Sequence, residues 1–422
     1  MENKNATTTN QASKNKQSRN NGFTLSLIMC VIVLLLIMGI GLLNLGMQSR
    51  NMAVRTSTGI IARSSADAGV TQALYILNRR LKTNSWGDSV MPHAENVQLP
   101  FCNSSFSYKT DKYAVRMADG DYEDLYFIES VGKSGLSQKK VNCTLELQGL
   151  FEYAIFADDI LLKNGTTVNS YNVEDDDLPL MIGTNSTHSG AIDTKLGVTV
   201  EGDVVVGPGG DPDVVINSAR LADITGRTYP AAMKNKTAIM DVPQYLLEAP
   251  SNGEINKTLT ISSSGKYESI NLNNNVNSDS IKIDGDVTLY VTGDIRLGNG
   301  DELIIHSDHN ADAQLIIFLG GNLIVDNGAS LNNLTKDASK LKIFGLDTCE
   351  ALDFKNSGSF YGAIYAPTAD IHLYNSVQMY GAVVGKSFVQ DVYADFHYDM
   401  SLREAEPHEL GVRLVIKRWS EQ

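Results

Sequence analysis

Charge is missing over a length no soluble surface would tolerate: residues 22–49, GFTLSLIMCVIVLLLIMGIGLLNLGMQS, contain no Asp, Glu, Lys or Arg. A helix of about 25 such residues, rising roughly 1.5 Å each, crosses a hydrocarbon core of about 30 Å with some tilt. The run also lacks a small-residue cleavage site on its far side, which reads NLGMQSRNMAVRTSTG. It is therefore not patterned as a discarded secretory signal, whose apolar core is only about 7–15 residues long. Cysteine is scarce, four in 422 residues, with no C-x-x-C spacing, which removes a cysteine-based structural zinc site. The seven histidines form no H-E-x-x-H pattern. Positive charge is in deficit, with 35 Lys and Arg against 49 Asp and Glu and a net charge of -14. That balance argues against nucleic acid as a ligand, because like charges repel. No cofactor is expected.

What is present falls into an order. Residues 1–22 are polar and low in complexity, with Lys4, Lys14, Lys16 and Arg19 against Glu2, and read as a disordered cytoplasmic leader. Residues 23–49 are the transmembrane helix. Basic residues beside a span stay in the cytoplasm, so the bulk of the chain should lie across the membrane, although Arg50, Arg55 and Arg63 weaken the asymmetry. Residues 50–100 read as a helical extension and linker. Val70, Leu74, Leu77 and Leu81 make one apolar stripe, and Ala62, Ser65, Ala66, Ala68 and Gly69 permit close approach of another backbone.

Residues 101–153 alternate as an antiparallel meander, with DGDYED and GKSGLSQ as turns. Cys102 and Cys143 bracket this segment. Paired, they would close a loop of about 41 residues and contribute about 4 kcal/mol by the chain-entropy model, with Cys349 as an alternative partner. Asp119, Asp121, Glu123 and Asp124 supply oxygen ligands, but their spacing falls short of a calcium loop and reads as a solvated hairpin.

Residues 154–400 have a different texture: short β-branched runs between Gly, Asn and Asp turns, such as GVTVEGDVVVGPGG and SIKIDGDVTLYVTGDIRLGNG. This predicts a parallel β-helix-like solenoid, expected to be right-handed, with a β-sandwich as the competing architecture. The echo between Tyr361-Gly362-Ala363-Ile364-Tyr365 and Tyr380-Gly381-Ala382-Val383-Val384 suggests a coil of about twenty residues. Residues 401–422 read as a C-terminal tail. The fold class is thus mainly β with a long N-terminal helix running from membrane to surface.

The junction Gly22-Phe23-Thr24-Leu25, between a basic leader and a membrane-length helix, resembles the prepilin peptidase site of type IV pilins and type II secretion pseudopilins. The resemblance implies processing after Gly22, leaving Phe23 as the new N-terminus. ARSSADAGVTQAL is similar to the run that follows the hydrophobic segment of PilX-like proteins. Leu27 stands where major pilins carry a buried Glu, so the likeness points to a minor or accessory subunit. Residues 154–400, most specifically GSFYGAIYAPTADIHLYNSVQMYGAVVGKSFVQDVYADFHYD, resemble the β-rich domain of unassigned function behind PilX-type N-termini.

These likenesses imply a single-pass inner-membrane subunit with a periplasmic or extracellular β-domain. Its implied partners are prepilin peptidase, other pilin-like subunits and membrane lipid, and its role would be structural and adhesive, without turnover. Two other functions fit the residues. Tyr361, Tyr365, Tyr374 and Tyr380, if exposed, could offer ring faces to a polysaccharide or host surface, which would make the chain a tethered carbohydrate-binding protein, but strand alternation favours the reading in which alternate members fill the solenoid interior. Asp175, Asp176 and Asp177, or Asp308 with His309 and Asp312, could serve a β-helix polysaccharide lyase, but neither group sets a nucleophile beside a base.

Overall fold

The computed structural model describes residues 23–82, 91–100, 102–116, 122–173, 179–273, 278–305, 313–355, 358–374, 376–404 and 409–421. The chain is mainly β with one long N-terminal helix. It divides into two compact units: the described parts of residues 1–75, 90–145 and 416–422, and those of 76–89 and 146–415.

Helix α1 (Phe23–Lys82) continues well past the apolar run. In the first unit it packs on a five-stranded sheet, ordered β1 (His93–Gln98), β2 (Ser104–Arg116), β3 (Tyr122–Ser134), β4 (Ser137–Gln148) and the C-terminal strand Arg413–Glu421. Residues 401–422, read as a tail, therefore contribute the fifth strand. Of the predicted stripe, Val70 is buried with Ala73 in this unit and Leu74 only half-buried, while Leu77 and Leu81 are buried in the part of α1 that belongs to the second unit. Small residues set the helix-to-sheet distance. A Cβ on Gly132 would lie 2.0 Å from the Ala62 carbonyl oxygen and 2.4 Å from the Ala66 nitrogen. A Cβ on Gly69 would collide with Ser130 Oγ and the Phe106 ring.

The second unit is a stack of parallel rungs, which sets aside the sandwich. Tyr361 pairs with Tyr380 and Gly362 with Gly381, so the sequence echo marks neighbouring rungs. The stacking order does not follow the chain. From Glu254–Ile255 the rungs advance through Ser269–Asn271, Ile295–Leu297, Leu323–Val325 and Ala351–Phe354 to Ser359–Leu373 and Gln378–Gln390. The next rung is not later sequence but earlier: Val383 pairs with Ile155, Ser387 with Asp159, and Asp395 with Thr167. The stack then runs on through Leu180–Gly183 and Gly202–Val206 to Thr228–Pro230.

Inside, side chains align in register. Ile270, Ile295, Leu323, Leu352, Ile371, Phe388, Ile160 and Ile192 form one unbroken apolar column across that seam. Each is at most 1% exposed. Burying a side chain of this size is worth about 1.5–3 kcal/mol, and here every member rests on its neighbours. Polar bonds close the seam at its rim: Asp391 pairs with Lys163 and His372, Gln390 Nε2 donates to the Thr167 carbonyl, and Tyr398 Oη donates to the Phe151 carbonyl at 2.6 Å.

Residues 231–253 connect the two ends of the stack as a strap. Strands on one face run from Gly265–Tyr267 to Thr228–Pro230, a height of roughly 40–45 Å at about 4.8 Å per rung. An extended segment of this length spans it easily. The strap covers an outward column of Phe318, Phe344, Tyr365, Val384 and Phe156, all buried although they alternate with inward neighbours. It is pinned along its course. Asn185 and Asn235 exchange two bonds of 2.8 Å, Tyr365 Oη donates to the Ala238 carbonyl at 2.9 Å, Lys82 meets Asp241 at 2.5 Å, and Lys266 reaches the Leu247 carbonyl.

Corners repeat a backbone device. Gly300, Gly328, Ser376, Tyr393, Gly165, Gly197 and Leu221 each stand two residues ahead of a strand on one face, and each has φ between 62° and 86°. Glycine adopts this left-handed conformation freely, whereas Ser376, Tyr393 and Leu221 hold it at about 1–2 kcal/mol apiece. Another corner is tied by carboxylate and amide oxygens. Asp294 Oδ1 accepts from the Asn322 N–H at 2.9 Å, and Asn322 Oδ1 accepts from Glu350 and Ala351.

All four cysteines are free, and the expected Cys102 to Cys143 bridge does not form. Registry explains this. Ser104 pairs with Ser134 on β3, whereas Cys143 pairs with Ile128, on the other side of that strand and six positions along it. The two thiols are thus about 20 Å apart along the strand direction, where a disulfide tolerates Cα separations of roughly 7 Å at most.

Three outcomes test this architecture. Gly132→Ala should cost about 1–3 kcal/mol in thermal unfolding, because backbone rather than a flexible side chain blocks the new Cβ. Asp294 is held below the ordinary carboxylate range, chiefly by the Asn322 N–H and further by Arg296, against an opposing push from burial. Its contribution is present above the unfolded-state value of about 3.9 and is lost as pH falls through the lower folded-state value. Asp294→Asn should therefore destabilise at pH 7 by about 1 kcal/mol or less, with the gap to the parent closing below about pH 4. Finally, burial pushes the Cys143 thiol up to about 11, helped by Asp67, and the Cys349 thiol up to about 12. Maleimide at pH 8 should label exposed Cys102 promptly and these two only after unfolding, as peptide mass mapping would show.

Candidate assembly helix and aromatic ladder

Phe23 opens α1, while Gly22 of the processing junction lies outside the described residues. From Leu25 to Met47, roughly 33 Å of helix, the apolar side chains are exposed, Leu34 by 59% and Leu43 by 69%. Among the described residues this is the one helix long and apolar enough to cross a membrane, with a mean hydropathy of 3.0 over its best window. Leu27 is as exposed as its neighbours, with no carboxylate at that depth. Gly39, Gly41 and Gly46 have open space where a Cβ would stand, so another helix backbone could approach there. One helix thus carries two kinds of surface: an apolar half suited to lipid or another helix, and a small-residue half that docks on the sheet.

The four tyrosines of the expected aromatic surface do not lie on one face. Tyr365 belongs to the column beneath the strap, is 2% exposed, and burial pushes its hydroxyl up to about 12. Tyr374 stacks on His372 at 3.7 Å, with Lys355 Nζ 6.0 Å from its ring. Tyr361 and Tyr380 stack at 4.4 Å and 11°, and Tyr380 stacks in turn on His397 at 4.4 Å. Tyr171 meets Tyr380 edge-on at 4.9 Å. In-register stacking in a parallel rung spends ring faces on the next rung. Both faces of Tyr380 are taken, so edges and hydroxyls, rather than the flat faces a sugar would use, remain toward solvent.

His397 terminates the ladder. Burial lowers its pKa, with Asp395 opposing, which favours the neutral ring. Nδ1 lies 2.6 Å from Asn169 Oδ1 and Nε2 lies 2.9 Å from Gln378 Oε1. A neutral imidazole donates through one nitrogen and accepts through the other, so one of these amides presents its NH2.

Of the acidic groups considered for metal or lyase chemistry, Asp119, Asp121, Asp175, Asp176, Asp177, Asp308, His309 and Asp312 lie outside the described residues, as do the side chains of Glu123 and Asp124. Sequence reasoning missed one connected set. Ser186 Oγ meets His188 Nδ1, and His188 Nε2 lies 2.8 Å from Asp159 Oδ1. The order is that of a nucleophile, base and orienting acid, but His188 and Asp159 are 56% and 61% exposed. Open solvent screens the electrostatics that such a relay needs, and nothing here excludes water.

A family model described as Domain of unknown function (DUF7305) matches residues 230–405, overlapping the stretch 154–400 whose likeness was to a domain of unassigned function. No curated protein matches. Among solved structures, the competence-associated pilin ComZ from Thermus thermophilus is similar at 10% identity, covering 87% of this chain and 98% of its own, with a TM-score of 0.21. An ice-binding protein from the Antarctic ascomycete Antarctomyces psychrotrophicus is similar at 14% identity over 60% of this chain and 96% of its own, with a TM-score of 0.24. An ice-binding protein from an Antarctic bacterium of the Flavobacteriaceae gives 8% identity, 58% and 96% coverage, and a TM-score of 0.22. Likenesses at TM-scores of this size decide neither fold nor function.

Proposed function

We propose that this chain is a membrane-inserted, type IV pilin-like accessory subunit, acting in assembly and surface display rather than turnover. One observation carries the reading: a continuous helix, α1, presents an exposed apolar half of membrane length and buries its later half against a β-sheet. A secretory signal is cut away and needs no such continuation. The Gly22-Phe23-Thr24-Leu25 junction and the PilX-like run after the span support the same reading from sequence. In it, prepilin peptidase removes the leader on the cytoplasmic side, the apolar half moves from lipid into a bundle of like helices, and the β-units lie outside the cytoplasm. Without a carboxylate near Leu27, the subunit brings no buried acid to pair with a neighbour's terminal amine, which suits a minor subunit better than a main building block.

The tethered carbohydrate-binding protein is the second reading. It loses its original ring surface, because both faces of Tyr380 are stacked, one face of Tyr374 lies on His372 and Tyr365 is buried.

N-terminal mass spectrometry of the membrane-expressed chain, with and without a prepilin peptidase, separates the two. The assembly reading expects a mature chain beginning at Phe23 only when the peptidase is present. A leader retained in both samples would reduce α1 to a tether.

A further inference from the structure

The sheet of the first unit has one face against α1 and, among the described residues, one face bare. On the bare face β2, β3, β4 and the C-terminal strand frame a cleft of ≈ 390 Å3, inside the range of about 300–1,000 Å3 that small-molecule sites occupy. Registry places its groups in two rows. Asp111, Phe127 and Thr144 stand side by side on successive strands, as do Lys109, Glu129 and Asn142. Tyr113 lies beside Phe127 at 5.5 Å, its ring tilted edge-on and 55% exposed. Unlike the ladder tyrosines, it spends no face on a stacked neighbour.

The charges divide unequally. Lys109 lies 3.7 Å from Asp111 and 4.0 Å from Glu129, and Lys140 lies 2.8 Å from Glu129, so these groups satisfy one another. The Arg418 side chain, which also lines the cleft, makes no hydrogen bond or ion pair among the described residues. The strand alternation fixes its direction: Trp419 beside it is turned to Arg63 of α1, with the guanidinium carbon 5.1 Å from the ring centre, so Arg418 belongs to the opposite, bare face. The Asn142 side-chain amide and the Thr144 hydroxyl likewise have no bonded partner among the described residues. The cleft therefore combines an aromatic platform, neutral hydrogen-bonding groups and one unpaired planar cation on a protein of net charge -14.

We infer that this cleft binds a carboxylated sugar, a hexuronate unit of an acidic polysaccharide. The pyranose ring rests on Tyr113, its hydroxyls bond Asn142 and Thr144, and its carboxylate takes the two-pronged guanidinium of Arg418. Guanidinium and carboxylate match in a bidentate geometry that a neutral sugar cannot use. Aromatic side chains supply the apolar contact for the ring. The inference is independent of whether the leader is processed, and it places ligand recognition on the first unit instead of the tyrosine ladder.

The test is isothermal titration of the full chain in detergent with trigalacturonate and with uncharged maltotriose. Saturable binding is expected for trigalacturonate, at least about 10-fold tighter than maltotriose, and weaker as salt is raised. Arg418→Gln should lose about 10-fold or more and erase the preference, while Arg418→Lys should recover part of it. Tyr113→Ala should weaken both sugars. Arg418 and Tyr113 are exposed, so unchanged circular dichroism and melting would confirm intact folds. No saturable binding of trigalacturonate, equal binding of the two sugars, or binding indifferent to Arg418→Gln would each overturn the inference.

Discussion

In-register stacking of apolar side chains between parallel rungs is the constraint on which the second unit depends. A single rung of three short strands buries almost nothing alone, since its inward residues need a neighbour above and below. The column from Ile270 to Ile192 supplies those neighbours without a gap, even where Phe388 meets Ile160 across more than half the chain. The seam is also tied by polar bonds, with Lys163, His372 and Asp391 at one corner and Tyr398 donating to Phe151 at another. Asp391 is held below its ordinary range because bonds from Lys163 and His372 outweigh the upward push of burial. Outside, the strap does for the aromatic column what rung neighbours do inside: it removes apolar area from water.

Helix α1 presents two kinds of surface and is built differently along its length. Its early half is dominated by Leu, Ile, Val and Met, interrupted by Gly39, Gly41 and Gly46, where another helix backbone could approach. Its later half is Ala, Ser and Gly where it touches the sheet, and the near collision at Gly132 shows how little room remains. Thr58 Oγ1 and Ser137 Oγ, 2.8 Å apart, add a polar tie at the beginning of that contact.

Much of this was legible in the sequence. Period-two alternation exposed the meander, the spacing of Val70, Leu77 and Leu81 exposed the docked face of α1, and the Tyr361 and Tyr380 echo exposed one true rung neighbour. The stacking order was not legible. Parallel pairing between Val383 and Ile155 leaves no local signal, since each strand alone looks like any other buried strand. The tyrosines were legible only in part for a related reason: alternation suggests that some of Tyr361, Tyr365 and Tyr380 are covered, but not that register turns two of them into a stack and the strap covers the third. Arg418 was passed over because its strand, RLVIKRWSE, was read as a tail. The C-terminal run alternates weakly, and only its place beside β4 gives it two distinct faces.

The chain enters the stack near Phe151 and leaves it near Asp399, at neighbouring rungs in the middle, so both ends of the stack are made of interior sequence. Such a body can grow from either end by duplicating a rung while the points where it joins the rest of the protein stay fixed. The strap is what such growth must respect. Every added rung raises the stack by about 4.8 Å and requires about one and a half more extended residues in 231–253, which makes that segment the gauge of the unit's height.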